Sequence, residues 1–283
     1  MNMNRSERKK QYEKAIEMEL RQHKSVFAVY CVLRAIVILC GIRQFFMGNY
    51  EQVFLCILTL ILMLMPSILQ LKMKIELPTT LEIIVLLFIF AAEIMGEIGA
   101  YYIKYENWDT MLHTLNGFLM AAIGFSLIDI LDREERIKFD LSPIFMAIVA
   151  FCFSMTVGVL WEFFEHAMDI WFGLDMQKDT ILYGISSVML DPTGGNTPTA
   201  IKDITEVMIN GQSLGLGGYL DIGLYDTMFD LWVNFIGAFV FSIIGFFYIK
   251  YRGEGKIARR FIPFLKKEEE DYLKIVKEED AQK

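Results

Sequence analysis

The stretch that decides the fold is PIFMAIVAFCFSMTVGVLWEFFEH, residues Pro143–His166. A bilayer-spanning helix needs roughly 20 mostly apolar residues, and this run is long enough, yet it ends in Glu162, Glu165 and His166. Ionisable groups at the end of an apolar span are costly, so they indicate a functional site. Five further apolar runs occur, at Val26–Gly48, Gln52–Leu69, Leu81–Tyr102, Thr110–Leu131 and Asp226–Tyr251. The sequence therefore predicts an all-α, polytopic integral membrane helix bundle of about six transmembrane helices.

The composition agrees with this fold class. The chain has 283 residues, of which 54% are hydrophobic, and a mean hydropathy of +0.39, which is typical of a membrane protein rather than a soluble domain. A net charge of −8 argues against a nucleic-acid partner. The four cysteines all lie inside predicted spans, so no disulfide framework and no thiolate metal motif is indicated.

The distribution of basic residues predicts three regions and their orientation. Lysine and arginine are frequent in the N-terminal segment 1–25, in the charged tail 252–283, and in the second and fourth loops of the membrane domain 26–251. The first and third loops together hold only Lys104. Because loops rich in lysine and arginine stay in the cytoplasm, both termini are predicted to be cytoplasmic. The long loop 167–225 is then predicted to face outward.

Two extramembrane regions carry further expectations. In the long outward loop, the apolar patches Thr180–Leu190 and Ile204–Ile209 predict short helices or re-entrant segments. A loop of this length is more often functional than passive. In the tail, the charged run Lys266–Asp280 predicts a solvated helix or a disordered segment.

Polar residues recur at helical spacing near the predicted outer ends of several spans. Residues four apart share one helical face, so each set forms a stripe that faces a neighbouring helix. Glycines within a stripe allow close helix approach. Glu93 and Glu97 add carboxylates at the same level, from the third span. The stripes comprise Asp109, His113 and Gly117; Glu162, Glu165 and His166; and Asp226, Asp230, Asn234 and Gly237.

Clustered carboxylates repel each other in a low dielectric, so they must be protonated, paired or bound to metal. Histidine with carboxylates suits a divalent metal such as zinc or manganese. The predicted metal ligands are His113, Glu162, His166, Asp226 and Asp230, the predicted catalytic groups are His113, Glu162, Glu165 and Asp230, and the predicted supporting residues are Asp109, Asn234, Gly117, Gly237 and Arg43.

Each of these residues also has a purely structural interpretation. A histidine on an apolar helix is commonly a hydrogen-bonded core residue, and acids near a helix end reach the headgroup region. Asp226 could be the N-cap of the last span. The order Glu162-Glu165-His166 is not the HExxH pattern of metalloproteases. The spacing alone therefore leaves a binding site and a stabilising polar cluster both open.

The stripes resemble a known family. Trp108–His113 with Gly117, then Trp161-Glu162 with Glu165, then Asp226-Thr227 with Asp230, look like the YjdF-like bacterial inner-membrane proteins. This resemblance covers about Trp108–Gly245 and implies a multi-pass protein of a bacterial plasma membrane, without an established activity. A more distant likeness is to VanZ-like membrane proteins, which share a D-xxx-H start and a final D-xxx-N-xx-G helix. That likeness implies a site facing the cell envelope; His166 and the long loop depart from it.

Three classes of function remain open at this point. One is an envelope-facing enzyme, a metal-assisted hydrolase or transferase acting on a lipid-linked or other amphiphilic substrate. No nucleophile motif such as GxSxG is present, which favours a water nucleophile over a covalent intermediate. Another is a proton-coupled transporter, because intramembrane carboxylates are common in proton relays. The third is a non-catalytic binding or scaffold protein whose polar cluster holds the bundle together. Membrane lipids are the expected surroundings in all three cases.

Overall fold

The computed structural model describes residues 5–133, 141–251 and 258–281. Most of these residues are helical, and the strands are two or three residues long. The α-helices are α1 (Arg5–Gln22), α2 (Lys24–Phe46), α3 (Tyr50–Leu62), α4 (Met65–Met73), α5 (Thr79–Phe90), α6 (Tyr101–Lys104), α7 (Trp108–Arg133), α8 (Pro143–Phe172), α9 (Leu224–Lys250) and α10 (Tyr272–Ala281), and a π-helix, Ala91–Ile98, continues α5.

Within the described residues, five helical segments are long and apolar enough to cross a membrane. The prediction of an all-α polytopic bundle is confirmed. These five segments match the expected spans, and the sixth expected span, Leu81–Tyr102, is shared between α5 and the π-helix. The five are Lys24–Phe46, Tyr50–Met73, Trp108–Leu131, Pro143–Phe172 and Leu224–Lys250.

Local chemistry explains where two of the spans break. The second span separates into α3 and α4 just before Pro66, whose ring nitrogen has no hydrogen to donate to the preceding turn. The third span changes to π geometry around Gly96, where the Tyr102 ring lies so close that a Cβ atom would sit 2.3 Å from Cε2. Ala100 ends this segment in the left-handed conformation, with φ of 55°. The π-helix is therefore associated with a ring packed onto bare backbone.

The longest helix is set by its two ends. At the start of α8, the Ser142 hydroxyl accepts a hydrogen bond from the Phe145 backbone N–H at 3.3 Å, and Pro143 occupies the first turn. At its end, Gly173 adopts a left-handed φ of 65° that few other residues tolerate. α8 thus runs past the expected boundary at His166, which lies inside the helix and not at its end.

The membrane domain has two packing centres. α7, α8 and α9 bury one apolar cluster that includes Phe125, Met146 and Phe241. α2, α3 and α5 with the π-helix bury a second cluster around Val37 and Leu86. A smaller cluster of Leu77, Leu81 and Leu119 joins the two halves. Lipid tails are as apolar as the core, so burial of apolar surface does not by itself hold the helices together. Close packing of small and large side chains at these centres does so instead.

Both ends of the chain lie at one end of the bundle. The strand β1 (Ile75–Glu76), which follows α4, pairs antiparallel with β8 (Phe264–Leu265) in the tail. α10 packs against α1 through Val276 and Ala15, both fully buried. We call this the termini end, and the opposite end, which carries residues 173–223, the loop end. Arg136 and Lys138, two of the basic residues that predicted orientation, lie outside the described residues.

The extramembrane regions differ from expectation in two respects. The prediction of helices or re-entrant segments at Thr180–Leu190 and Ile204–Ile209 is wrong, because apart from one 3₁₀ turn, Val188–Leu190, the loop forms short antiparallel pairs. Alternating Thr and Ile side chains suit such strands. The tail helix α10 is not merely solvated, since α1 covers one of its faces. The loop pairs are β2 (Thr180–Leu182) with β7 (Tyr219–Asp221), β3 (Ile185–Ser187) with β4 (Thr199–Ile201), and β5 (Met208–Ile209) with β6 (Gln212–Ser213).

Candidate functional site

The imidazole of His113 lies between carboxylates from three helices at the loop end of the bundle. Its Nε2 atom is 3.6 Å from Asp109 Oδ1 on the same helix, α7, and 3.8 Å from Asp230 Oδ2 on α9. Its Nδ1 atom is 3.8 Å from Glu162 Oε1 on α8. Each ring nitrogen therefore faces at least one acid, and the stripes predicted on three separate helices meet at one side chain.

The donor atoms form two overlapping groups that could hold a metal ion. Asp109, His113 and Asp230 make one group, and His113, Glu162 and Glu165 make the other, with the atoms of each group within 4.8 Å of one another. Two ligands of a tetrahedral ion, each about 2.1 Å from it, are about 3.4 Å apart. The separations at His113 are closer to this value than to a hydrogen bond of about 2.9 Å. The site is therefore open enough for an ion between its ligands.

Two carboxylate oxygens in the site are buried without a hydrogen-bond partner among the described residues. They are Glu162 Oε2 and Asp230 Oδ2, one on each side of the His113 ring. Both side chains are almost fully buried, with exposures of 5% and 2%. A buried charge without a partner costs several kcal/mol, on the order of the effective desolvation penalty for an ion. These oxygens therefore indicate a missing positive charge, either a metal ion or protons.

Glu165 belongs to the Glu162 side of the site and is held by its own helix. The Trp161 indole Nε1–H donates a hydrogen bond to Glu165 Oε1 at 2.8 Å. Trp161 itself is largely exposed, and its ring packs on Phe164. An aromatic ring with one polar edge is suited to the boundary between lipid and water. The indole thus orients a buried carboxylate from the periphery of the bundle.

Close contact between α7 and α9 sets the distance between His113 and Asp230. A Cβ atom on Gly117 would lie 2.1 Å from the backbone oxygen of Asn234, and one on Gly237 would lie 2.0 Å from that of Thr114. Only glycine fits at either position, because the obstructing atoms are backbone. The helices therefore touch backbone to backbone, one turn below the site.

α8 joins this seam through hydrogen bonds and a third glycine. The Ser154 hydroxyl donates to the Gly117 carbonyl at 2.7 Å. The Asn234 amide lies over Gly158, where a Cβ atom would be 2.6 Å from Nδ2, and its Oδ1 accepts from Asn116 at 3.4 Å. Asn234 is thus a buried spacer beneath the site and touches neither group of donor atoms.

The remaining predicted residues lie at the periphery. His166 is exposed, and its Nδ1 atom is 3.1 Å from Gln177 Oε1. Asp226 Oδ2 accepts a hydrogen bond from the Lys178 backbone N–H at 2.7 Å. Arg43 is exposed in the last turn of α2. None of the three belongs to the two groups of donor atoms around His113, and their roles as ligands or supporting residues stay predictions.

A segment of the long loop is fastened to the rim of the site. We call residues 176–178 the strap. The Asp169 carboxylate accepts from the backbone N–H groups of Met176 at 2.7 Å and Gln177 at 2.9 Å. The Gln177 side chain donates to the Thr227 hydroxyl. Sequence reasoning missed the strap, because a glutamine in a polar loop carries no periodic signal that would place it beside α8 and α9.

Tyr102 is a second residue that the sequence did not indicate. It follows the π-helix, and its ring packs on Gly96. Its phenol lies within electrostatic range of Asp109, Glu97 and Glu165. The third span thus approaches the site from the other half of the bundle. π-Helical turns occur often at functional sites. The π geometry is visible only in the structure, so no signal in the sequence points to Tyr102.

Comparisons with known proteins agree with the architecture and are silent on chemistry. Residues 26–251 match the family model described as a predicted membrane protein, DUF2238. No curated protein and no solved structure matches the chain. The matched range includes all three helices of the site, and it excludes α1 and the tail from residue 252 onward.

Proposed function

The chain belongs to the DUF2238 family of predicted membrane proteins, and from that premise we propose that its His113 site binds a divalent metal ion on the outward side of a bacterial plasma membrane. The site would serve a metal-assisted hydrolase or transferase that acts on a lipid-linked or other amphiphilic envelope substrate. The observation that carries this proposal is the His113 ring with acids facing both nitrogens. Two of these acids, Glu162 and Asp230, each have a buried oxygen that no donor among the described residues reaches.

The two sides of the His113 ring favour different roles. Asp109, on the Nε2 side, is 30% exposed, whereas Glu162, on the Nδ1 side, is 5% exposed. A catalytic ion needs an open position for substrate, so we assign the ion to Nε2, Asp109 and Asp230. Glu162 would then accept from Nδ1–H, which fixes the tautomer as carboxylates commonly do behind metal-bound histidines.

The donor set suits zinc or manganese, with one nitrogen and carboxylate oxygens as ligands. A bound ion would supply Lewis-acid polarisation of a substrate oxygen. Glu165 lies outside the assigned ligand set, and one of its oxygens is within 4.8 Å of a His113 nitrogen, so we assign it the role of proton acceptor. Its hydrogen bond from Trp161 holds it in place for this role.

The depth of the site favours an amphiphilic substrate. His113 and Asp230 both lie in the second turn of their helices, which begin at Trp108 and Leu224. At about 1.5 Å per residue, both side chains start roughly 8–9 Å below the helix ends. This is the level where headgroups meet acyl chains. The basic residues at the termini end support the proposal that this level lies in the outer leaflet, because loops rich in lysine and arginine stay in the cytoplasm.

Metal analysis of the detergent-purified protein tests the proposal. We expect about one zinc or manganese ion per chain in the wild type and loss of that ion in His113→Ala and Asp230→Asn. His166→Ala is the matched control, because His166 is an exposed histidine on the same helix as Glu162 and lies outside both donor groups. Its metal content should equal that of the wild type.

Three outcomes would contradict the proposal. A wild type without metal after reconstitution with zinc or manganese would remove the metal enzyme. Equal loss in His166→Ala would show that the ion lies outside the His113 site. Proton-dependent flux in liposomes that vanishes in Asp230→Asn would instead support the transporter, for which the buried carboxylates would be the proton carriers.

A further inference from the structure

A second buried cluster of ionisable side chains lies at the termini end, far from His113. Its carboxylates come from three elements that the sequence separates widely: Glu19 from α1, Glu76 from β1 and Glu82 from the first turn of α5. All three residues are at most 5% exposed. Lys266, which follows β8 in the tail, supplies the central positive charge. None of these residues belongs to the site described above.

Lys266 is the centre of the cluster. Its ammonium group forms an ion pair with Glu19 Oε1 and lies 3.5 Å from Glu76 Oε2. The side chains of Lys266 and Glu19 are 2% and 1% exposed. His23, which is 38% exposed, places Nε2 2.9 Å from Glu76 Oε1. Glu82 accepts from the Gln70 amide at 3.2 Å. Lysine is almost never fully buried unless it is paired, so these carboxylates are what keep Lys266 inside.

Backbone pairing aims the lysine into the cluster. β8 pairs with β1, with Leu265 opposite Ile75, and the Lys266 N–H donates to the Lys74 carbonyl at 2.9 Å. This register places Lys266 opposite Lys74, and so diagonal to Glu76 on the same face of the ladder. On the tail side, the ammonium group lies 5.3 Å from the ring centroid of Tyr272, a cation–π distance.

A second set of contacts binds the same tail to α1. Lys14 pairs with Glu279 at 2.5 Å, and Gln11 donates to Asp280 at 2.9 Å. Lys74 and Asp271 form an ion pair of 3.1 Å beside the cluster. The Lys14–Glu279 pair is about half exposed, so solvent weakens it. The buried cluster therefore dominates the pH dependence of tail docking, while these contacts add alignment.

The cluster holds more acid than base. Three carboxylates face one lysine and one partly exposed histidine, and Glu19 Oε2 is buried without a hydrogen-bond partner among the described residues. Burial raises the pKa of Glu19 to about 7, although the ion pair with Lys266 opposes the rise. Full ionisation would leave a net negative charge in a dry interior, and each added proton reduces it.

We propose that Glu19, Glu76, Glu82, His23 and Lys266 form a proton-binding site that locks the C-terminal tail onto α1 and the membrane domain. Docking of the tail takes up a proton, and loss of that proton releases the tail. The ligand of this second site is thus the proton itself. The device is independent of the metal proposed at His113.

The sign of the pH dependence follows from Glu19. In the docked state its pKa is raised to about 7 from the ordinary value of 4.5. Docking is then strongest below about pH 4.5 and weakens as the pH rises through about 7. For one proton the docking equilibrium changes by at most about tenfold per pH unit in this window. Acidification below about pH 7 therefore tightens the tail, and a return to neutral pH loosens it.

The parts of this device lie partly outside the family's common core. α1 and the tail residues 258–281 fall outside the matched range 26–251, whereas Glu76 and Glu82 fall within it. A core that carries two buried carboxylates at its termini end needs a counter charge there. In this chain the appended tail supplies it through Lys266.

Distance measurement between spin labels tests the proposal. The labels are placed at Arg8→Cys on α1 and Lys277→Cys on α10, two exposed positions, in full-length protein whose four native cysteines are replaced by alanine. In lipid nanodiscs we expect one short distance below about pH 5 and a long-distance population that grows as the pH rises to about 7 and then levels off. Glu19→Gln should remain docked throughout, because the neutral amide needs no proton.

Further variants separate the residues. Lys266→Met should show less of the short distance than the wild type across the pH range, because the cluster loses its counter charge, whereas Lys267→Met, its exposed neighbour, should titrate like the wild type. In His23→Gln the distance should still change with pH as in the wild type, because Glu19 remains the group that gains and loses the proton. An unchanged distance across the whole pH range in the wild type would overturn the proposal. So would a Glu19→Gln protein that titrates as before, or one in which only His23→Gln abolishes the response.

Discussion

The seam between α7 and α9 gives the sharpest prediction on stability. Replacing Gly237 with alanine puts a Cβ atom 2.0 Å from the Thr114 carbonyl oxygen and 2.8 Å from the Phe118 backbone nitrogen. An ordinary contact needs about 3.5 Å, so the two helices must separate by more than 1 Å. Neither obstructing atom belongs to a side chain that could rotate away. The strain must therefore be relieved by moving a whole helix.

The magnitude follows from two opposing terms. Overpacking of a tight core costs typically about 1–3 kcal/mol, and a backbone obstruction belongs at the upper end. Alanine in a helix gains back about 0.5–1 kcal/mol over glycine. We expect Gly237→Ala to lose about 2 kcal/mol of stability, seen as a lower Tm in detergent or nanodiscs. Because His113 and Asp230 lie on the separating helices, the variant should also bind zinc or manganese more weakly.

Gly41→Ala is the matched control for this prediction. Gly41 also lies inside a membrane helix, α2, but its Cβ atom would meet only the Cys56 side chain, at 3.3 Å. That substitution should leave the free energy of unfolding within about 1 kcal/mol of the wild-type value, since the helix-propensity gain offsets a slight contact. If Gly237→Ala were as stable and as metal-loaded as Gly41→Ala, the close approach of α7 and α9 would be wrong.

Two further predictions address the rim and the orientation. Trp161→Phe removes the hydrogen bond to Glu165 and should lower the free energy of unfolding by about 1–3 kcal/mol. Trp171→Phe, the control, changes an exposed tryptophan in the same helix and should lower it little. Equal losses in the two variants would contradict a special role for the Trp161 indole. A cysteine introduced at Gly195, in the long loop, should react in intact cells with an impermeant thiol reagent, and protection there with labelling at Lys138→Cys would reverse the proposed orientation.

Helical periodicity predicted which residues meet, because a stripe on each helix needs only one facing surface. Asp109 with His113 and Asp230 with Asn234 lie four apart in the sequence, and the structure turns each pair toward the same interior. The same geometry separates Glu165 from His166. Adjacent helical residues differ by about 100°, so when Glu165 points inward His166 points to the periphery, where it meets the strap.

Features that depend on contacts between distant segments could not be predicted in this way. The strap lies on α9 because Gln177 reaches Thr227, 50 residues away. Lys266 is buried because Glu19, 247 residues away, receives it. By composition alone, a charged run is predicted to be solvated. Lys266 departs from this prediction because buried acids at the termini end pair with it.

The two ends of the bundle bury acid in different ways, and this difference bears on the metal. At the termini end, Lys266 neutralises part of the charge of Glu19 and Glu76. At the loop end, no lysine or arginine in the described parts of the chain lies within ion-pair distance of Glu162 or Asp230, and His113 is their partner. At the termini end one proton adds to the charge that the lysine already supplies, whereas at the loop end the metal ion that we propose would supply the larger charge. Removal of metal by a chelator should therefore destabilise the loop end and leave the docking of the tail unchanged.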